Sequence, residues 1–96
     1  MNNELLMNVL IKQFPKLRFV RTQLFGSEWI VTTFGRSRSI FVKARPDGKL
    51  LLEQSIMRSV DNHRIYEAYD DLSHVLIGII KESNPELVSP VQIGLF

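Results

Sequence analysis

Three turn signals divide residues 17–54, LRFVRTQLFGSEWIVTTFGRSRSIFVKARPDGKLLLEQ, into short segments rich in β-branched and aromatic residues: Gly-Ser at 26–27, the polar loop Gly-Arg-Ser-Arg at 35–38 and Arg-Pro-Asp-Gly-Lys at 45–49. The clearest signal is the Arg-Pro-Asp-Gly-Lys sequence at 45–49, since proline presets φ, aspartate bonds the turn backbone and glycine accepts a left-handed conformation. A hairpin closed by this turn pairs Val42 with Leu52. That register places five apolar side chains on one face of the sheet: Ile40, Val42, Ala44, Leu50 and Leu52.

A second turn, Gly-Ser at 26–27, fits a two-residue hairpin connection, which would pair Leu24 with Trp29 and Val20 with Thr33. One face of these strands is then predicted to carry Val20, Leu24, Trp29 and Val31, and the other Phe19, Phe25, Ile30 and Phe34. Because both faces are apolar, we expect the sheet to be covered on both sides or to use one side as a contact surface.

Helical periodicity flanks these strands. Residues 3–14 have apolar side chains at helical spacing, with Asn2 or Asn3 available as the N-cap and Pro15 as a stop. The predicted apolar stripe of this first helix consists of Leu6, Met7, Val9, Leu10, Ile11 and Phe14. A second helix is predicted over 72–82, ending at Asn84-Pro85, with Leu72, Val75, Leu76, Ile79 and Ile80 on its apolar side.

The segment from Asn62 to Tyr69 fits two structures. It is either the start of a long second helix or a strand that precedes a shorter helix capped by Asp70 or Asp71. Inside that helix, Gly78 either weakens the helix or lets another element approach closely.

These elements predict an α+β fold in the order α-β-β-β-β-α, a three- to four-stranded antiparallel sheet with an N-terminal and a C-terminal helix packed on it. The length of 96 residues predicts a single domain over 1–96. The apolar C-terminal tail, Leu87 to Phe96, is expected to pack on the core, add an edge strand or cover a neighbour.

Composition narrows the class of protein. The absence of cysteine excludes disulfide and thiolate chemistry. The N-terminus lacks the basic start of a signal peptide and no apolar run reaches the length of a membrane span, so we expect a soluble cytoplasmic protein without a membrane partner. Charge is uneven: eight Lys or Arg and two acidic residues lie within 16–49, against three and seven from residue 53 onward.

The basic part of the sheet supplies the candidate binding surface. Arginine and lysine bind phosphate or carboxylate groups, and an exposed aromatic ring can stack on an unpaired base. The alternative is that these charges are solvated side chains on an outer face, where they also discourage edge pairing. The predicted basic hairpin surface comprises Arg36, Arg38, Phe41, Lys43, Arg45 and Lys49.

Catalytic and metal chemistry find little support. Asp70 and His74, four residues apart near Glu67 and Asp71, would share a helix face, but two ligands do not make a site and capping explains the aspartates better. The chain has no nucleophile elbow and no phosphate-binding glycine loop. We therefore expect a protein that is not an enzyme and needs no metal or cofactor.

The predicted function is protein binding, as an adaptor or inhibitor, because aromatic residues plus arginine are common interface anchors. In size and cysteine-free composition the chain is similar to small inhibitors made by phages and mobile elements, including anti-CRISPR proteins. Nucleic-acid binding through the basic hairpin surface is the alternative, and a homodimer is a further possibility. The element order also resembles the double-stranded RNA-binding domain, but Asp70 and Asp71 stand where that family has a basic phosphate-binding cluster.

Overall fold

The fold consists of two helices and five strands. The computed structural model describes residues 1–34, 38–56, 59–84 and 86, without the side chains of 56 and 59–63. The C-terminal tail lies outside these residues. In chain order the elements are α1 Asn3–Gln13, β1 Val20–Leu24, β2 Ser27–Phe34, β3 Arg38–Ala44, β4 Leu50–Ile56, β5 Ser59–Tyr66 and α2 Tyr69–Ser83.

The five strands form one antiparallel sheet in the order β1-β2-β3-β4-β5, so each strand pairs with its neighbour in the chain. The α+β class and the flanking helices are confirmed, with one strand more than the three or four predicted. The extra strand comes from the segment left open between helix and strand. Within it the chain is extended through Tyr66, and the second helix starts at Tyr69.

The β3–β4 hairpin has the predicted register. Val42 pairs with Leu52 and Ala44 with Leu50. Across the turn, the Arg45 amide donates to the Lys49 carbonyl at 2.8 Å. The sequence predicted this hairpin because its turn residues and its apolar alternation require the same alignment.

The β1–β2 register was predicted wrongly by two residues. Leu24 pairs with Ser27 and Val20 with Val31. The two turn residues are Phe25 and Gly26, with φ of 51° and 78°. Two consecutive positive φ angles are the mark of a type I′ turn, whose twist matches that of the flanking strands.

The different turn changes the position of one residue, Phe25, that was predicted to lie on a face of the sheet. Since side chains alternate with a period of two, a two-residue shift leaves every strand residue on its predicted face. Phe25, predicted beside Ile30 and Phe34, instead sits at the tip of the turn and is 99% exposed.

Both helices pack on one face of the sheet and enclose a shared core. The predicted stripe of α2 is confirmed, although Val75 is only partly buried. The predicted stripe of α1 was too wide, because Ile11 is 45% exposed. The core comprises Leu6, Leu10, Phe14, Ile30, Phe34, Ile40, Val42, Leu50, Leu52, Leu72, Leu76, Ile79 and Ile80.

The helix ends follow the predictions in part. Asn2 caps α1, accepting the Leu5 amide at 2.9 Å. The predicted capping of α2 by Asp70 or Asp71 was wrong: the N-cap is Ala68, which makes no side-chain cap bond. Both aspartates lie within the first helical turn, where the helix dipole favours carboxylates.

Candidate functional site: the open face of the sheet

The side of the sheet turned away from both helices is the candidate site, and we call it the open face. The core cluster takes the alternate strand residues, so no described helix covers this side. The open face comprises Val20, Thr22, Leu24, Ser27, Trp29, Val31, Thr33, Ser39, Phe41, Lys43, Leu51, Glu53, Ser55 and Ile65.

The centre of the open face is a packed group of side chains. Trp29 and Leu51 are buried there, at 7% and 6% exposure, without contributing to the core under the helices. The Trp29 and Phe41 rings meet edge to face, with centroids 6.4 Å apart and an interplanar angle of 86°. The Lys43 amino group lies 4.7 Å from the centre of the Trp29 ring. A cation over an indole ring is attracted by its quadrupole, and the lysine stem covers apolar surface, so these side chains hold each other in place.

The margins of the open face are apolar and accessible. Val20 on the edge strand β1 is 47% exposed, and Ile65 on the opposite edge strand β5 is 46% exposed. Accessible apolar residues therefore border the packed centre on both edges of the sheet. Exposed apolar residues on either side of a packed aromatic group favour a contact surface.

A pocket of about 340 Å³ opens on this face beside the β1–β2 turn. Its lining includes three aromatic rings and three polar side chains from β4. The lining residues are Leu24, Phe25, Trp29, Phe41, Glu53, Gln54 and Ser55. The mixture of apolar walls and a few polar groups is characteristic of a site that accepts an apolar group in a fixed orientation.

A second depression, of about 530 Å³, lies at the start of α1 and has a different character. Three of its four charged lining side chains are in ion pairs, Arg21 with Glu28 at 3.1 Å and Arg45 with Asp47 at 3.0 Å, and the fourth is Glu4. The hydrogen bond from Arg21 holds the pKa of Glu28 below its ordinary value. The paired charges satisfy one another, so these three side chains offer a ligand little.

The structure divides the predicted basic hairpin surface between different places. Arg38 lies on the helix side of the sheet, where its guanidinium donates to Ser83 Oγ at 2.6 Å and Gln54 Oε1 at 3.3 Å. Lys49 pairs with Glu67 at 3.2 Å. Arg36 lies outside the described residues.

Arg45 is paired with Asp47 across the β3–β4 turn. The Lys49 amide donates to the Asp47 carboxylate at 3.0 Å and, as the largest cause, lowers the pKa of that carboxyl. Among the predicted site residues, Phe41 and Lys43 thus come together on the open face. The packed centre also includes Trp29 and Leu51, which the site prediction omitted, although the two-sided apolar pattern had signalled that face.

The acidic cluster near α2 does not form a metal site in the described part of the chain. No group of three potential ligands gathers there. Asp70, Asp71 and His74 are exposed. Beside them, Tyr69 donates its hydroxyl hydrogen bond to Gln13 of α1, and burial raises the pKa of Tyr69 to about 12. This contact joins the two helices and is structural.

Comparisons with protein-family models, curated proteins and solved structures return no match for this chain. Function must therefore be inferred from the geometry of its own residues. Neither described helix is both long and apolar enough to cross a bilayer.

Proposed function

We propose that this protein is a small non-catalytic binding protein, an adaptor or inhibitor, that binds another protein through the open face of its sheet. The observation that carries the proposal is the packed aromatic centre of that face, bordered on both edge strands by accessible apolar residues, Val20 and Ile65. Rigid aromatic side chains with an adjacent cation are common energetic anchors of protein interfaces. Its size and lack of cysteine agree with a cytoplasmic inhibitor of the phage or mobile-element type.

The chemistry of the face suggests what the target presents. Its apolar centre favours an apolar patch on the target. Two cations, Lys43 near the centre of the face and Arg18 at its edge, favour carboxylates beside that patch. Arg18 lines a shallow groove along β1 together with Val20 and Val31.

Nucleic-acid binding is the weaker alternative. Binding along a phosphate backbone needs several cations on one surface. The Arg38 guanidinium is directed toward α2, and Arg45 and Lys49 have carboxylate partners. The open face supplies aromatic rings for base stacking but few of the charges that such binding requires.

Two isoleucines of equal exposure give a matched test. Ile65 is 46% exposed on the open face, and Ile11 is 45% exposed on α1, in the helical layer. Immobilised wild type, Ile65→Glu and Ile11→Glu are incubated with nuclease-treated lysate of the source cell, after circular dichroism has shown that each is folded. We expect a protein that wild type and Ile11→Glu retain and Ile65→Glu loses.

Other results would contradict the proposal. Retention of the same protein by all three chains would place the binding surface elsewhere. Recovery of nucleic acid from untreated lysate, lost at higher salt, would favour the alternative function.

A further inference from the structure

Phe25 combines an unfavourable backbone conformation with a fully exposed side chain, and contacts within the described chain do not account for it. It occupies the first central position of a type I′ turn, with φ of 51°, where glycine, asparagine or aspartate is favoured. Its side chain is also 99% exposed, so no packing within the described residues offsets the unfavourable backbone. A strained backbone that presents a fully exposed aromatic ring is a feature that stability disfavours and binding can explain.

The pocket on the open face lies directly beside this ring. Phe25 is itself one of the apolar residues that line it, together with Leu24, Trp29 and Phe41. A cavity of about 150 Å³ lined by apolar side chains is enough to hold benzene. The pocket, at about 340 Å³, therefore has room for a phenylalanine side chain from another molecule.

A projecting ring and a pocket that could receive one are therefore neighbours on the same surface. A surface of this kind is complementary to itself, because a twofold rotation places each ring over the pocket of the other molecule. The open face also carries charges of both signs, Lys43 and Glu53. Two copies can therefore meet there without the repulsion that a face of one sign would produce.

We propose that the open face binds a second copy of this chain, forming a twofold dimer in which Phe25 of each copy enters the other's pocket. The inference goes beyond the proposed function, because it names a second occupant for the same face. A target protein that binds the open face must then displace the second copy, so dimer formation limits access to the site.

Sedimentation equilibrium over a wide range of protein concentrations tests the dimer. The test variant is Phe25→Asn, which removes the ring and supplies a residue that the turn favours. The control is Leu5→Asn, since Leu5 is 53% exposed on α1, away from the open face. We expect wild type and Leu5→Asn to form dimers, and Phe25→Asn to remain monomeric at concentrations tenfold above the dissociation constant of the wild-type dimer.

Thermal unfolding in dilute solution, where all three chains are monomeric, separates binding from folding. We expect Phe25→Asn to unfold at the same temperature as wild type or higher, because asparagine relieves the turn. A lower unfolding temperature would make Phe25 a structural residue and overturn the inference. A wild type that is monomeric throughout, or a Phe25→Asn that still dimerises, would overturn it as well.

The two proposals fail separately. A monomeric wild type whose target is lost in Ile65→Glu would overturn the dimer and leave the adaptor function in place. A dimer that Phe25→Asn dissociates, combined with capture that Ile65→Glu does not affect, would support the dimer and overturn target binding through this face.

Discussion

Asn3 shows at the scale of one residue how the helical layer is fixed to the sheet. Its Nδ2 donates to the Glu28 carbonyl at 3.0 Å, and its Oδ1 accepts the Ala44 amide at 2.7 Å. The sequence marked this residue only as a possible helix cap, a role that Asn2 fills. Its partners lie 25 and 41 positions away, and local pattern carries no information about bonds of that range.

The two hydrogen bonds of the Asn3 side chain lead to a prediction about stability. Asn3→Ala should lower the free energy of unfolding by about 1–3 kcal/mol, because it leaves the partly buried Ala44 amide without its acceptor. Asn8→Ala, on the exposed side of the same helix, should be neutral or slightly stabilising, since alanine has the higher helix propensity. Urea denaturation of both variants measures the difference, and equal effects would contradict the proposed role of Asn3.

Tyr69 predicts a pH dependence. Burial raises its pKa from an ordinary 10.0 to about 12, so the folded chain retains the phenolic proton at pH values where the unfolded chain loses it. This contribution to stability is complete below pH 10 and is lost as the pH rises through 12. The unfolding free energy of wild type should therefore fall more steeply between pH 10 and 12 than that of Tyr69→Phe. Parallel curves for the two proteins would show that the phenol is not protected.

At the scale of the helix, the surroundings of Gly78 decide between the two roles that the sequence left open, a weakened helix or the close approach of another element. No atom outside its own stretch of helix lies within 4 Å of the position where its Cβ would be, so no element approaches the helix closely there. Gly78→Ala should raise the free energy of unfolding by up to about 1 kcal/mol, because alanine restricts the unfolded backbone.

A second glycine is the control. Gly48 also has no neighbour within 4 Å, but its φ is +87°. Gly48→Ala should lower stability by roughly 1–2 kcal/mol, because an L-residue is strained in that conformation. Thermal unfolding of the two variants should shift in opposite directions. A loss of stability in Gly78→Ala would mean that the helix is crowded at that point.

Arg38 links two elements, β3 and α2, and its role differs from the predicted one. The sequence placed it in the basic hairpin surface or, as the alternative, among solvated side chains on an outer face. Its bonds to Ser83 and Gln54 instead predict that Arg38→Ala lowers stability by about 1 kcal/mol. Arg45→Ala should change stability by less than about 0.5 kcal/mol, because its ion pair with Asp47 is exposed. Chemical denaturation measures the change in unfolding free energy of both variants. Equal changes would mean that Arg38 behaves as a solvated side chain.

The elements also show where sequence patterns suffice. The β3–β4 hairpin was predictable because turn residues and alternation agree on one register. The β1–β2 turn was not, because a phenylalanine at positive φ contradicts local preference and the prediction chose the following dipeptide. For 62–69, helical and alternating patterns both fit, and pairing of β5 with β4 determined the outcome.

For the whole molecule, the sequence located the candidate site only in part. Apolar residues on both sides of β1 and β2 predicted that one face of the sheet would be left over once the helices had covered the other. Among the described residues, that face is open. The distribution of the cations was not predictable. Arg38 has a partner 45 positions away, and the partner of Lys49 lies on a segment whose structure the pattern left undecided.

The strand order has a consequence for how the chain folds. Every ladder of the sheet joins strands that are consecutive in sequence, so the sheet can grow hairpin by hairpin while closing only short loops. Contacts between distant parts of the chain form when the helices pack, as where Tyr69 on α2 donates a hydrogen bond to Gln13 on α1. Pairing between strands that are neighbours in sequence favours faster folding than pairing between distant strands, and it shortens the time in which strand edges can pair between molecules.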